Sequence, residues 1–105
     1  MDHIVVLVTA STQEEAQMIA RGLLEKKLAA CCNIISGVRS LYWWQGKIMD
    51  DNEVLMVIKS RSDMFEKIKE TVIACHSYAV PEIIALPLTA GSAPYLQWID
   101  KSFTS

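Results

Sequence analysis

Ala29-Ala30-Cys31-Cys32-Asn33-Ile34-Ile35-Ser36-Gly37-Val38-Arg39-Ser40-Leu41-Tyr42-Trp43-Trp44-Gln45-Gly46-Lys47-Ile48-Met49-Asp50-Asp51-Asn52-Glu53-Val54-Leu55-Met56-Val57-Ile58-Lys59-Ser60 contains one obvious place to reverse direction, Gln45-Gly46. A residue followed by Gly between two β-rich runs makes a two-residue hairpin turn, because Gly accepts the positive φ that a twisted hairpin needs. Folding about that step sets Trp44 opposite Lys47, Trp43 opposite Ile48 and Tyr42 opposite Met49. Each arm then runs to about a dozen residues, against a usual strand of about 5–6. At ~3.4 Å per residue an arm spans roughly 40 Å, wider than a small domain. The tip therefore projects past its own core and carries Tyr42, Trp43 and Trp44 with it. Large apolar side chains on a projecting ribbon need a cover, so self-association is the first expectation. Gly37 interrupts the first arm and marks a bulge or bend.

On the N-terminal side, Ile4-Val5-Val6-Leu7-Val8 is continuously apolar and fits a strand covered on both faces. Ser11 and Thr12 precede Glu14 and Glu15 at capping-box spacing. Ala16, Ile19, Ala20, Leu23 and Leu24 form the stripe of an amphipathic helix, with Lys26 and Lys27 expected in its last turn. Beyond the ribbon, Ser62 or Asp63 caps a second helix whose buried side is Phe65, Ile68, Val72 and Cys75. A loop, His76 to Pro81, leads into a strand over Glu82–Leu88 that reads as buried, with Pro87 at its end or on an edge. Ser92 caps a third helix with Pro94 in its first turn. Leu96, Ile99 and Phe103 are its apolar side, Tyr95 and Trp98 are further large contacts, and Lys101–Ser105 is a frayed tail.

Strand, helix, strand, strand, helix, strand, helix is the split βαβ pattern. The fold class is α+β: a ferredoxin-like sandwich with a long protruding hairpin and a C-terminal helix, in one domain over residues 1–105. Two helices cover one face of the antiparallel sheet. The other face should be apolar and covered by a partner subunit or the third helix. At 51% hydrophobic residues the chain is apolar for its size, which points the same way. A net charge of −2 leaves no basic excess to neutralise phosphates, so no nucleic-acid partner is expected. No run reaches the length of a membrane span and no basic segment precedes the first apolar run, so no membrane partner is expected and the location is read as cytoplasmic. Three cysteines argue against a disulfide framework, and no zinc spacing is present.

Few groups carry chemistry. Cys75-His76 could chelate one soft ion, although two neighbouring ligands do not close a site. Cys31 and Cys32, on a strand, point to opposite faces and are read as core packing. His3 is read as solvated. Asp50, Asp51 and Glu53 form an acidic cluster on the second arm that reads as solubilising charge or as partners of Arg39 and Lys59. Glu82 begins a strand after Pro81, where a carboxylate can be buried and ion-paired. No nucleophile triad, phosphate loop or metal-hydrolase helix is present, so the chain is read as not an enzyme. A hydrolase using Glu53 or Glu82 as base is the weakest alternative.

The pieces Leu28-Ala29-Ala30-Cys31 with Asn33-Ile34, Ser40-Leu41-Tyr42 with Trp44 and Gly46-Lys47, and Glu53 with Met56 and Lys59 stand at telling spacing. So do His76, Tyr78 and Pro81-Glu82 with Ala85-Leu86-Pro87, and Gly91 with Tyr95-Leu96 and Trp98. In these the chain resembles the CutA divalent-cation tolerance proteins along nearly its whole length. The resemblance implies a ferredoxin-like fold, a tight PII-like homotrimer and a cytoplasmic role in tolerance of divalent metals, copper in particular. It implies metal ligands at a first-strand Cys and at two His before a Pro-Tyr step. Here those positions hold Val8, Cys75 and His76, with Ser77 in place of the Pro, so copper or another divalent ion falls to Cys75 and His76. The likeness to PII trimers implies an alternative, a sensor or structural trimer binding a small molecule or partner protein. Its intersubunit cleft or trimer interface would use Tyr42, Trp43, Trp44, Glu53, Lys59, Tyr78, Glu82 and Trp98.

Overall fold

The hairpin forms as its turn requires. In the computed structural model, which describes residues 2–103, Gln45 and Gly46 take φ of 50° and 77° and join β2 (Cys31–Trp44) to β3 (Lys47–Arg61). Positive φ at both central residues is the turn whose twist matches that of the strands. Trp44 pairs with Lys47, Trp43 with Ile48 and Tyr42 with Met49. The molecule is accordingly long, 44 × 26 × 22 Å. At Gly37, φ is 79° and the pairing slips between Ile35 and Val38, which is the bulge the glycine marks.

The remaining elements are β1 (His3–Ala10), α1 (Gln13–Glu25), α2 (Phe65–Cys75), β4 (Ile83–Pro87) and α3 (Ala93–Lys101). They complete a four-stranded antiparallel sheet in the order β2-β3-β1-β4, the split βαβ arrangement. One sheet face carries Val6 and Val8 of β1 with Met56 and Ile58 of β3. These pack with Ile19 and Leu23 of α1 and Ile68 and Val72 of α2, all fully buried. The opposite face alternates with it: Val5 and Leu7 lie beside Ile84 and Leu86, which are 51% and 50% exposed. α3 covers only one end of this second face. It buries Ile99, accepts a bond from His3 Nε2 at Asp100 (2.9 Å), and sets Phe103 4.5 Å beneath the Arg61 guanidinium.

Several local expectations are corrected. β4 is an exposed edge in the single chain, because its apolar residues stand on the face α3 leaves open. Lys26 and Lys27 lie beyond α1: Lys26 is its C-cap and Lys27 has φ 55°. The Lys27 and Leu28 amides return to the carbonyls of Leu24 and Leu23, an αL ending with lysine where glycine is usual. Neither Ser62 nor Asp63 caps α2. Residues Ser62–Met64 form a 3-10 turn leading into it, and the Asp63 carboxylate sits 3.3 Å from Arg61. Lys101 belongs to α3 and Phe103 is held by Arg61; of the expected tail, Thr104 and Ser105 lie outside the described residues. His3 is not simply solvated, since its side chain is 15% exposed and bonded to Asp100.

Candidate functional site

After the Gly37 bulge the even-numbered residues of β2 share a face with the odd-numbered residues of β3, as Val38 opposite Glu53 and Ser40 opposite Asp51 show. Tyr42, Trp44, Asp51 and Glu53 therefore stand on one side of the ribbon. The chain between α2 and β4 runs past that side and brings Tyr78, Val80 and Glu82 to it. Between ribbon and loop lies an open groove of about 960 Å³. Its walls are chiefly Tyr42, Trp43, Trp44, Met49 and Tyr78, with Glu53 and Glu82 as its carboxylates.

The polar groups of the groove are closely paired. Tyr78 donates its hydroxyl to Glu53 Oε2 at 2.7 Å, and Tyr42 donates to Asp51. Glu53 is only 7% exposed. Burial, the bond to Glu53 and the charges of Glu53 and Asp51 raise the Tyr78 phenol well above its ordinary value. The bond to Asp51 pushes Tyr42 up to about 12. Arg39 clamps Asp50 with two bonds, 2.9 and 2.6 Å, so the one guanidinium at the groove is already matched.

The loop carrying Tyr78 is fixed from behind. The His76 side chain is 0% exposed. Its Nδ1 accepts from the Tyr78 amide at 3.0 Å, so Nε2 carries the proton and donates to the Thr9 carbonyl at 2.6 Å. Glu15 adds a second tie, accepting from the amides of Ser77 (3.1 Å) and Ser11 (3.2 Å). Burial pushes the Glu15 carboxyl up. The bonds from Ser77 and Ser11 and the nearby His76 outweigh it and leave the carboxyl below its ordinary value.

These bonds bear directly on the metal reading. A metal ligand needs a free imidazole lone pair, and the only one His76 has is taken by the Tyr78 amide. Cys75 packs partly buried against the core. Among the described residues no group of three or more His, Cys, Asp or Glu side chains is placed to hold an ion. The Cys75-His76 pair, as folded, does not fit a divalent metal. Burial pushes the Cys32 thiol up to about 12, which makes it inert packing.

Of the residues assigned to a cleft, Tyr42, Trp43, Trp44, Glu53, Tyr78 and Glu82 come together here. Lys59 and Trp98 do not. Lys59 lies toward the far end of β3 and bonds Asn33, and Trp98 packs on Tyr95 of α3 with ring centres 5.4 Å apart. Glu53 is a buried acceptor and not a solubilising charge, and Glu82 is exposed and not buried. Sequence reasoning missed Glu15 as an anchor. Its capping spacing was visible, but its reach to Ser77 joins residues far apart in the chain.

The family model described as CutA1 divalent ion tolerance protein matches residues 4–102. This chain belongs to the CutA1 divalent ion tolerance family. It is 47% identical to the divalent-cation tolerance protein CutA of Thermus thermophilus over 98 residues, covering 93% of this chain and 95% of that one. It is 46% identical to the chloroplastic CutA of Arabidopsis thaliana, of which it spans 54%. Among solved CutA structures, the periplasmic divalent cation tolerance protein of Archaeoglobus fulgidus superposes with a TM-score of 0.93 at 44% identity, covering 96% of this chain and 98% of that one. The CutA1 of Oryza sativa gives 0.93 at 43%, covering 97% and 94%. The CutA fold expected from the sequence is the fold observed. No helix among the described residues is long and apolar enough to cross a membrane.

Proposed function

We propose that this CutA chain acts in divalent-cation tolerance as a cytoplasmic, non-catalytic homotrimer that binds a small ligand in the Tyr42–Tyr78 groove, where a neighbouring subunit closes it. The observation that carries this reading is the state of His76. Its ring is fully enclosed and both nitrogens are spent holding the loop that forms one wall of the groove. The Cys75-His76 pair thus serves the groove and does not compete with it for copper or another divalent ion. Association is supported by apolar surface that a monomer would leave wet: Leu41, Trp43 and Ile48 on the ribbon, at 62%, 72% and 64% exposure, and Ile84 and Leu86 on the open sheet face. Three free thiols suit a reducing compartment.

Native mass spectrometry with and without copper(II), run on the parent protein and Cys75→Ser, tests both parts. The expected result is a trimer whose copper content is the same in the two proteins. A monomer refutes the assembly. Stoichiometric copper that disappears in Cys75→Ser, with the trimer intact, refutes the assignment of the pair to structure.

A further inference from the structure

From the chemistry of its lining we infer that the groove takes a small organic cation, an alkylated or primary ammonium carried on an apolar body. The inference rests on the groove being the ligand site and names what that site selects. Three large rings, Tyr42, Trp44 and Tyr78, face it, with Trp43 at its rim, and aromatic faces attract cations through the ring quadrupole. Its charge has one sign. Glu53 and Glu82 line it, Asp51 stands beside them on Tyr42, and the only cation in the lining, Arg39, is matched by Asp50.

The hydroxyls reinforce this. Both tyrosine protons are already given to carboxylates, so toward a ligand the phenol oxygens act as acceptors. Backing the groove, the His76 ring also has no donor to offer, because its single N–H goes to Thr9. A phosphate or carboxylate ligand would meet the hydroxyls of Ser40 and Ser77 but also the repelling charge of Glu53 and Glu82. An ammonium finds acceptors and aromatic faces, and its methylene or methyl groups find Met49 and Val80.

The test uses intrinsic fluorescence of the Trp98→Phe protein, which leaves Trp43 and Trp44 as its tryptophans. Choline is titrated against its neutral isostere 3,3-dimethylbutan-1-ol and against adenosine triphosphate, with the trimer verified by native mass spectrometry. Choline should saturate the signal at a concentration about ten-fold lower than the isostere. Glu82→Gln, a change at an exposed lining carboxylate, should weaken choline and leave the isostere unchanged. Equal affinity for choline and the isostere, or tighter binding of the triphosphate, overturns the cation assignment while leaving the groove as a ligand site. Manganese(II) alone saturating the signal and excluding choline also overturns it, in favour of a metal ion. A verified trimer that answers to none of these probes overturns both the cation assignment and the ligand-binding reading, because the groove is then filled by the neighbouring subunit.

Discussion

Tyr78→Phe isolates the bond that joins the loop to the ribbon. The change removes one oxygen and keeps the ring, so packing against His76, whose ring centre is 4.6 Å away, is preserved. What is lost is a 2.7 Å bond to a carboxylate that is 7% exposed. A hydrogen bond to a charged group contributes about 1.5–3 kcal/mol, and a nearly buried carboxylate cannot recover its donor from bulk water. The expected loss is therefore about 2 kcal/mol in urea denaturation at fixed protein concentration, the condition needed for an associating chain. Glu53→Gln completes a double-mutant cycle, in which the two changes should couple by at least about 1 kcal/mol. The same bond predicts an alkaline limb. The Tyr78 phenol is raised above its ordinary 10.0, so the folded chain holds the proton more tightly than the unfolded chain. The contribution is complete below that value and is lost as pH climbs beyond it, and Tyr78→Phe should flatten the loss. Coupling below about 0.3 kcal/mol, within the scatter of independent sites, would refute the role given to this bond.

Glu15→Gln should cost about 1–2 kcal/mol at neutral pH through the weakened ties to Ser77 and Ser11. Because the Glu15 carboxyl is held below its ordinary 4.5, its contribution is present above that value and lost as pH falls through the lower folded value; acid titration of unfolding should show a flatter limb in the variant. Gln45→Asn keeps φ 50° with a residue that tolerates it, and should raise stability by about 0.5–1 kcal/mol, read as a higher melting temperature. Leu23→Ala, at a fully buried position between helix and sheet, should lose about 2–5 kcal/mol in the same denaturation assay.

The ribbon was legible because a two-residue turn fixes every pairing behind it. Once Gln45-Gly46 is the turn, Trp43 opposite Ile48 follows without knowledge of the rest of the fold. The stripe of α1 was legible for a similar reason, since its period is local. What could not be read depends on contacts between distant segments. Ile84 and Leu86 have the composition of a covered strand, and sequence does not distinguish a face awaiting a helix from one awaiting another subunit. Glu53 looks like surface charge beside Asp50 and Asp51 until Tyr78, far along the chain, is seen to cover it. His76 looks like half of a metal site until Thr9 and the Tyr78 amide are found on its two nitrogens. Asp63 was a plausible cap, but Arg61 lies nearer to hand.

The aromatic faces of the groove are set by the turn, and one inserted residue joins that ladder to the base of the sheet. Below the bulge the paired numbers run Cys31 with Lys59 to Ile35 with Leu55; above it they run Val38 with Glu53 to Trp44 with Lys47, one step out of phase. β3 is continuous, so its odd-numbered residues hold one face throughout. β2 changes which of its residues share that face, from Cys31, Asn33 and Ile35 to Val38, Ser40, Tyr42 and Trp44. Directly opposite residues share a face, so the turn alone puts Tyr42 with Met49, Trp44 with Lys47 and Ser40 with Asp51, and these faces do not depend on the extra residue. Gly37→Ala and deletion of Gly37 separate strain from register. An added Cβ at Gly37 meets nothing within 4 Å, so Gly37→Ala pays only for φ 79°, about 1 kcal/mol, and keeps the groove. Deletion should give an unbroken ladder, with Ser36 opposite Val54, and leave every other pairing and both aromatic faces as they are. The deletion protein should then remain folded by circular dichroism, keep the coupling of Tyr78 to Glu53, and leave the iodide quenching of Trp44 unchanged in a Trp43→Phe, Trp98→Phe background. A large rise in Trp44 quenching on deletion would mean that the bulge, and not the turn, decides which face forms the groove.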